Sequence, residues 1–338
     1  MTATVIISTT PAGRPTASAT AVRRARVAGW VAALHDEVTD AFTALDGGGR
    51  FGEERWQRAE GGGGVSRLLV DGATFEKAGI NRSVVDGPLP AAVRARFGGR
   101  GAMGEPLSFF AAGVSLVVHP RSPLVPTVHL NVRYVELTDG SGELRDAWFG
   151  GGTDLTPTYP SPEDARAFHR ALRAVCDVHH QSLYPRFKAG CDAYFRNAHR
   201  GGEARGVGGI FFDHVRPDED LSALDGPALF AFAGDVGRSL GTAYAPIVDR
   251  RRTARYGERE RRLQLRRRGR YVEFNLLHDR GTLFGLQTGA RIESVLMSLP
   301  PVASWTGMSS TSPGDRPDSL DAALEAMLVP RDWAGEED

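Results

Sequence analysis

Two short stretches of the sequence carry polar side chains that could act together in catalysis or binding. In VHLNVRYV the residues alternate strictly, so His129, Asn131 and Arg133 lie on one face of a predicted β-strand. In the preceding run SLVVH, Ser115 and His119 share a face in the same way. An imidazole transfers protons near neutral pH, and a guanidinium binds carboxylates. The same alternation is also typical of an ordinary half-solvated sheet face.

Length and composition indicate a globular protein. The 338 residues are 41% hydrophobic and 24% charged, and the formal net charge is zero, so any anionic ligand must be held by local arginines. No apolar run approaches the roughly 20 residues that a membrane span needs. Cys176 and Cys191 form no CxxC motif and fit a reducing compartment. We therefore expect a cytoplasmic protein without a membrane span.

The N-terminal segment differs in composition from the rest of the chain. Residues 1–21 are rich in Thr, Ala, Ser and Pro and lack periodicity, which predicts a disordered tail. No acidic residue precedes Asp36, so an organelle transit peptide is a less favoured alternative. A helix should follow from about Ala21 to Leu45. We expect residues 22–338 to form a single domain.

The remaining elements predict an α+β fold. Ser161 and Asp164 form a capping box that starts a helix reaching about Gln181. Strands outnumber parallel βαβ crossovers, which favours a large antiparallel β-sheet sandwiched between α-helical layers. Further helices are predicted at about Pro185–His199, Gly226–Thr242 and Ser319–Leu328, and strands at GIFFDHV, RYVEFNLL, FGLQ and SVLMS.

Two patterns that suggest nucleotide or nucleic-acid binding do not hold. The GxGxxG matches at residues 47–52 and 99–104 neither follow a predicted strand nor open a helix. Between Arg250 and Arg270 there are eleven arginines, but Glu258 and Glu260 are interleaved with them. This run favours a solvated helix face or a carboxylate-steering surface over a nucleic-acid interface.

Several long blocks of the sequence resemble the oxygen-dependent (aerobic) coproporphyrinogen III oxidases. They occur in the order of that family from about Trp56 to Pro301. The blocks are WQRAEGGGGVSRLLVDGATFEKAGIN, HPRSPLVPTVHLNVRY, WFGGGTDLTPTY, GVGGIFFDHV and GRYVEFNLLHDRGTLFGLQTGARIESVLMSLPP.

The resemblance implies an enzyme of haem and porphyrin biosynthesis. Such an enzyme decarboxylates two propionates of coproporphyrinogen III oxidatively to vinyl groups. O2 accepts the electrons, and protoporphyrinogen IX, CO2 and H2O2 are formed. The family needs no flavin, haem or redox metal. The resemblance also implies a homodimer whose two chains associate through residues 271–305.

The resemblance further assigns residues to the site. His129 matches the family's proposed proton donor, and Asp279 is our candidate for the catalytic contact. Asp154 either accepts a pyrrole N–H or caps the turn after the triple glycine. The substrate-binding positions are Ser115, Asn131, Arg133, Arg280, Gly289, Ala290 and Arg291.

Four histidines fall at positions that the family associates with a divalent metal. Their separations of 10, 40 and 30 residues match no compact ligand motif, so a metal is possible but not required. These histidines are His119, His129, His169 and His199.

Three departures from the family pattern concern the pocket wall and the C-terminus. They are His214 in GIFFDHV, Ala147 before WFGGG, and the segment after Trp305. A catalytically silent tetrapyrrole carrier and a histidine-metal hydrolase remain alternative functions.

Overall fold

A seven-stranded antiparallel sheet forms the centre of the fold. The computed structural model describes residues 17–89, 106–217, 224–287, 291–305 and 319–336. The strands are β1 (Gly52–Gln57), β2 (Gly62–Val70), β3 (Phe75–Pro88), β4 (Ser108–Pro120), β5 (Thr127–Thr138), β6 (Leu144–Thr156), the short β7 (Arg196–Asn197) and β8 (Glu203–Ala204), and β9 (Gly208–Val215). In the large sheet they stand in the order β1-β2-β3-β4-β5-β6-β9, and β7 pairs only with β8.

Helices cover both faces of this sheet. They are α1 (Ala17–Asp46), α2 (Pro162–Asp177), α3 (Leu183–Tyr194), α4 (Gly226–Arg238), α5 (Leu240–Ala243), α6 (Ala245–Arg251), α7 (Glu258–Leu277), α8 (Arg280–Gln287), α9 (Ile292–Leu296) and α10 (Ser319–Met327). The predicted fold class, an α+β fold with an antiparallel sheet between helical layers, is confirmed. No helix in the described ranges is both long and apolar enough to cross a membrane.

The two faces of the sheet have different compositions. On the back face, Val128, Leu130 and Val132 of β5 are buried in the main hydrophobic core. Helices α1 and α4 pack against this face, contributing Leu34 and Phe232 to the same core. The alternation that the sequence showed therefore places one set of side chains in the core and leaves the other set for the front face.

Several helix boundaries differ from those predicted. Helix α1 begins at Ala17, so the prediction of a disordered tail is wrong for residues 17–21, and residues 1–16 lie outside the described residues. Ser161 caps α2 as predicted, since its Oγ accepts a hydrogen bond from the Asp164 N–H at 3.4 Å. The predicted ends of α2, α3 and α4 at residues 181, 199 and 242 are too late, because these helices end at residues 177, 194 and 238.

The prediction of strands after residue 270 is wrong. The segments RYVEFNLL and FGLQ belong to the helices α7 and α8, and SVLMS covers the end of α9 and the turn that follows it. Short apolar runs do not distinguish a strand from a buried helix segment. Here the run continues a 20-residue helix that begins at Glu258, and one helical stripe of it, including Tyr271, Phe274 and Asn275, is buried.

The arginine-rich run connects separate parts of the fold through ion pairs. Arg268 is buried and lies 2.7 Å from Glu76 of β3, while Arg266 pairs with Asp321 of α10 at 2.6 Å. The interpretation of the run as a solvated helix face is therefore wrong for these arginines. Their charges are engaged by carboxylates of the same chain.

Helix α1 is joined to the sheet by a buried carboxylate. Glu136 of β5 has 0% side-chain exposure and lies 2.7 Å from Arg23 of α1. Arg24 also pairs with Glu136, and the Tyr134 hydroxyl donates to it at 2.9 Å. A carboxylate buried this deeply needs such partners to offset its lost hydration.

We expect Glu136→Gln to lower the free energy of unfolding by on the order of 2–3 kcal/mol, because two arginines lose their charged partner. Chemical denaturation measures this. The control is Glu37→Gln, which breaks the exposed pair between Glu37 and Arg238 and should cost less than about 1 kcal/mol. Equal losses in the two variants would contradict the role assigned to Glu136.

Candidate active site

A row of mainly polar side chains crosses the front face of the sheet. Ser115 of β4 is directly opposite Asn131 of β5, and both belong to this row. The prediction that the two strands present their polar side chains on one face is thus confirmed. We call this set the polar row; its members in register are Glu54, Ser66, Asn81, Ser115, Asn131, Gly152 and Phe211.

The neighbouring row on the same face is made of small residues. A side chain at Gly150 would displace the Arg133 guanidinium, because a Cβ there would lie 2.8 Å from the Arg133 Nη2. Gly152 has a φ of +154°, and its Cβ would lie 2.2 Å from the Ile210 carbonyl oxygen. We call Gly64, Ser83, Gly113 and Gly150 the small-residue row. Two larger residues stand in the same register: Trp56 at the β1 end, and Arg133 between Gly113 and Gly150. We call the surface formed by these two rows the bed.

Arg133 stands at one side of the bed in a fixed orientation. Its Nη1 donates to the Asn131 Oδ1 at 3.0 Å, and its Nη2 donates to the Asp213 Oδ1 at 2.7 Å. Burial opposes ionisation of Asp213, but the His214 hydrogen bond and the Arg133 charge hold its pKa well below the usual range. The Arg133 side chain remains 34% exposed and is available to a ligand on the bed.

Arg291 marks the opposite side. It precedes α9, and its Nη2 lies 2.6 Å from the Glu54 carboxylate of β1. Among the described residues, its buried Nη1 has no hydrogen-bond partner. Adjacent strands are about 4.8 Å apart, so Glu54 on β1 and Arg133 on β5 are separated by roughly 19 Å. The predicted binding residues Gly289 and Ala290 lie outside the described residues.

His129 and Asp154 lie in the next row, beneath α7. They are directly opposite each other on β5 and β6, with the His129 Nδ1 3.4 Å from the Asp154 Oδ2. Asp154 lies inside β6, so the alternative that it caps a turn after the triple glycine is wrong. Tyr271 of α7 covers the imidazole, and the two rings are stacked with centroids 5.0 Å apart.

Arg205 completes this cluster, and the sequence did not reveal it. Its Nη2 donates to the Asp154 Oδ2 at 2.6 Å and lies 3.3 Å from the His129 Nδ1. The side chain is only 3% exposed and lies over the rings of Phe195 and Phe274, at 4.1 and 4.8 Å from their centroids. Arg205 stands immediately before GVGGIFFDHV, but no periodicity indicates that this arginine is buried.

The cluster has a definite charge state. Burial raises the cost of ionising Asp154, yet Arg205 and His129 bring its pKa to about 2. Burial, together with the Arg205 charge, lowers the pKa of His129, although Asp154 opposes this shift. At neutral pH the cluster therefore contains a carboxylate, a guanidinium and a neutral imidazole.

Asp279 lies between two helices, and its predicted place at a strand end is wrong. Its Oδ2 accepts the Thr282 N–H at 2.7 Å and thereby caps α8, while its Oδ1 accepts the Tyr194 hydroxyl at 3.0 Å. Burial is the main cause of the lowered pKa of His129, and the negative charge of Asp279 opposes this shift by raising the pKa. Arg280 is exposed and its guanidinium lies 4.7 Å from the Tyr194 ring centroid.

The four candidate metal ligands do not converge. His119 bonds to the Ser298 carbonyl at 2.8 Å, and His169 lies between the Tyr184 hydroxyl and the Val207 carbonyl. His199 contacts His278 and Glu273 at the protein surface. In the described part of the chain, no group of three or more His, Cys, Asp or Glu side chains is placed to hold a metal ion.

The departures from the family pattern fall in different places. His214, with a φ of +54°, stacks on Trp148 beside Asp213 and so lies at the edge of the bed. Ala147 packs against the main core behind the sheet, so the prediction that it alters the pocket wall is wrong. Of the C-terminal segment after Trp305, residues 306–318 lie outside the described residues.

Comparison with protein families supports one interpretation of this arrangement. A family model described as coproporphyrinogen III oxidase matches residues 26–333. The match includes the bed, both arginines beside it and the cluster of His129, Asp154 and Arg205.

The two roles of Asp279, helix cap and catalytic charge, are separable by substitution. Asn caps a helix about as well as Asp, so Asp279→Asn should keep the melting temperature within a few degrees. Asp279→Ala should lose about 0.5–2 kcal/mol of stability. If the charge acts in the transition state, Asp279→Asn lowers kcat at least about a hundredfold. An asparagine variant that retains more than about a tenth of kcat would show that Asp279 is only a cap.

Proposed function

Because this chain belongs to the coproporphyrinogen III oxidase family, we propose that it converts coproporphyrinogen III to protoporphyrinogen IX with O2 as the electron acceptor. Family membership itself makes the chain an oxidoreductase of haem and porphyrin biosynthesis. The observation that carries the proposal is the bed, a wide surface of small and polar residues with Arg133 and Arg291 on opposite sides.

The bed suits a reduced tetrapyrrole with four propionates. A macrocycle needs a broad surface with few bulky side chains, and the small-residue row offers Ser83 and Gly113 between the Trp56 ring and the Arg133 guanidinium. Carboxylates bind best to a planar guanidinium fork, because it offers two parallel N–H donors. Ser115 and Asn131 supply further polar contacts at the centre of the bed. We assign one propionate each to Arg133 and Arg291.

Each oxidation removes two electrons and one carboxylate. A propionate side chain R–CH2–CH2–COO⁻ loses CO2 and the equivalent of a hydride and becomes R–CH=CH2. O2 accepts that hydride equivalent, and one proton completes H2O2. Two such steps give the two vinyl groups. The substrate is itself the reductant, so we propose that no flavin, haem or redox metal is required.

The charged side chains beside the bed can stabilise the charge that develops on the substrate. Loss of electrons from a pyrrole leaves positive charge on the ring, which the fixed carboxylates of Asp154 and Asp279 stabilise in a buried setting. We assign the proton transfer to His129, because an imidazole exchanges protons near neutral pH. Arg205 keeps Asp154 ionised and oriented.

We also propose that the enzyme is a homodimer that uses the predicted region 271–305. Apolar side chains are exposed there, including Leu277 at 56% and Trp305 at 55%, together with Leu286 and Ile292. Exposed apolar side chains concentrated in one region are typical of protein interfaces. Sedimentation velocity tests this proposal, and a monomer at micromolar concentration would contradict it.

A cytoplasmic location is proposed because both cysteines, Cys176 and Cys191, are buried and free. Such thiols are suited to a reducing compartment. Cell fractionation checks the location.

The defining experiment compares turnover under air and under argon. Chelator-treated protein should convert coproporphyrinogen III under air, release CO2 and H2O2, and stop under argon. A silent carrier would bind the substrate without turnover under either gas. A hydrolase would need added zinc and no O2. Loss of activity on chelation, regained only with one metal, would contradict the metal-independent proposal.

Substitution of the two arginines should weaken substrate binding. Removing one partner of a desolvated charge pair costs about 2–5 kcal/mol, so Arg133→Ala and Arg291→Ala should each raise KM by at least roughly thirtyfold. Arg133→Lys keeps the charge without the fork and should be intermediate. The control, Arg262→Ala, removes an arginine that pairs with Glu258 on the outside of α7. Unchanged KM values in both alanine variants would remove the arginines from the propionate site.

A further inference from the structure

Tyr271 lies at the centre of the contacts around His129. Its hydroxyl is 2.6 Å from the His129 Nε2 and 3.0 Å from the Ser298 carbonyl oxygen. Its ring stacks on the His129 imidazole and meets the His119 ring edge-on, with centroids 5.1 Å apart. The side chain is buried, so water does not compete for these contacts, and the Asn275 side chain also reaches the hydroxyl.

The chemistry of these groups determines which atom donates. A carbonyl oxygen only accepts hydrogen bonds, so the Tyr271 hydroxyl donates its single proton to Ser298. The hydroxyl oxygen must then accept from its other neighbour. It follows that the His129 Nε2 carries a proton and donates it to Tyr271.

The other nitrogen of the ring leads to the same conclusion. A guanidinium only donates, and the Arg205 Nη2 lies 3.3 Å from the His129 Nδ1. The Nδ1 must therefore carry a lone pair. The opposite tautomer would direct an Nδ1–H at this N–H donor, with the Asp154 Oδ2 at 3.4 Å as its only acceptor among the described residues, and would draw the Tyr271 proton away from the Ser298 carbonyl.

We propose that Tyr271 is a positioning residue that holds His129 as the neutral Nε2–H tautomer, with its proton directed at α7 and its lone pair at Arg205. This proposal rests on the proposed function, in which His129 transfers a proton during turnover. Tyr271 does not contact the substrate and acts through the imidazole.

The same contacts connect His129 to the arginine on the far side of the bed. The Ser298 carbonyl accepts from Tyr271 and from the His119 Nε2, which lies at 2.8 Å. Ser298 follows α9, the helix that Arg291 precedes. The Ser298 carbonyl therefore joins this segment to the residue that orients the imidazole.

Nitrogen-15 NMR of histidine-labelled protein tests the tautomer without any measurement of activity. The ring nitrogens of the two neutral tautomers resonate at well-separated positions, so each of the nine histidines is assignable to one form. A His129→Gln variant identifies the signal by its disappearance. We expect a protonated Nε2 and an unprotonated Nδ1 in the wild type. An Nδ1–H form would overturn the proposal, whether or not the protein turns over its substrate.

A matched pair of variants tests the role of the tyrosine. Tyr271→Phe removes the acceptor of the His129 Nε2–H, so the Nδ1–H form, which can donate to Asp154, should become populated. The control is Tyr184→Phe, which removes a buried tyrosine–histidine bond of 2.9 Å at His169. There the Val207 carbonyl still accepts the Nε2–H at 3.0 Å, so the tautomer of His169 should not change.

Kinetics distinguishes positioning from a merely structural role. Tyr271→Phe should lower kcat by about ten- to a hundredfold and leave KM within about twofold, because a misoriented group loses rate and not binding. Tyr184→Phe should leave both constants at wild-type values. If Tyr271→Phe keeps both the His129 tautomer and kcat, the proposal is wrong. If that variant fails to fold, the wild-type spectrum still decides the tautomer.

Discussion

The buried ion pair between Arg205 and Asp154 is the interaction on which the rest of the site depends. Its two side chains are 3% and 5% exposed, and their charged atoms are 2.6 Å apart. Removing either partner would leave an uncompensated charge in an apolar enclosure. The pair joins β6 to the segment before β9 and to α7, where Arg205 also bonds to Asn275 at 3.2 Å. It simultaneously gives the His129 imidazole a fixed donor, so stability and orientation arise from one contact.

The sheet separates two tasks between its faces. Its back face carries the apolar side chains that hold α1 and α4, and this burial provides most of the driving force for folding. Over the bed, the front face does not contribute to this apolar core and carries glycine, serine, asparagine and arginine. Helix α7 covers the row of His129 and Asp154, and Ser294 of α9 bonds to Ser66 and Asn81 of the polar row. The bed and the buried cluster of His129, Asp154 and Arg205 therefore lie side by side on the same strands. This arrangement suits a large ring-shaped substrate whose reacting groups are at the edge of the ring.

Part of this arrangement was predictable from residue order. The alternation in β4 and β5 identified the shared face of Ser115, Asn131 and Arg133, since side chains of a strand alternate regardless of what surrounds it. The resemblance to a family gave His129 its role as proton donor and added Asp154, Asp279 and Arg291 as site residues. It did not include Arg205, because the burial of an arginine depends on rings contributed by Phe195 and Phe274, which are distant in the sequence.

The sequence by itself determined the antiparallel α+β class, the capped start of α2 and the two faces of the central strands, because these follow from local periodicity and capping chemistry. Only the tertiary structure decided that RYVEFNLL is helical, that Asp279 caps α8 and that the four candidate metal-binding histidines stay apart. Short apolar segments satisfy their backbone hydrogen bonds equally well in a helix or a strand. What selects between them is packing against residues far away in the chain, here Tyr271 against His129 and Arg268 against Glu76.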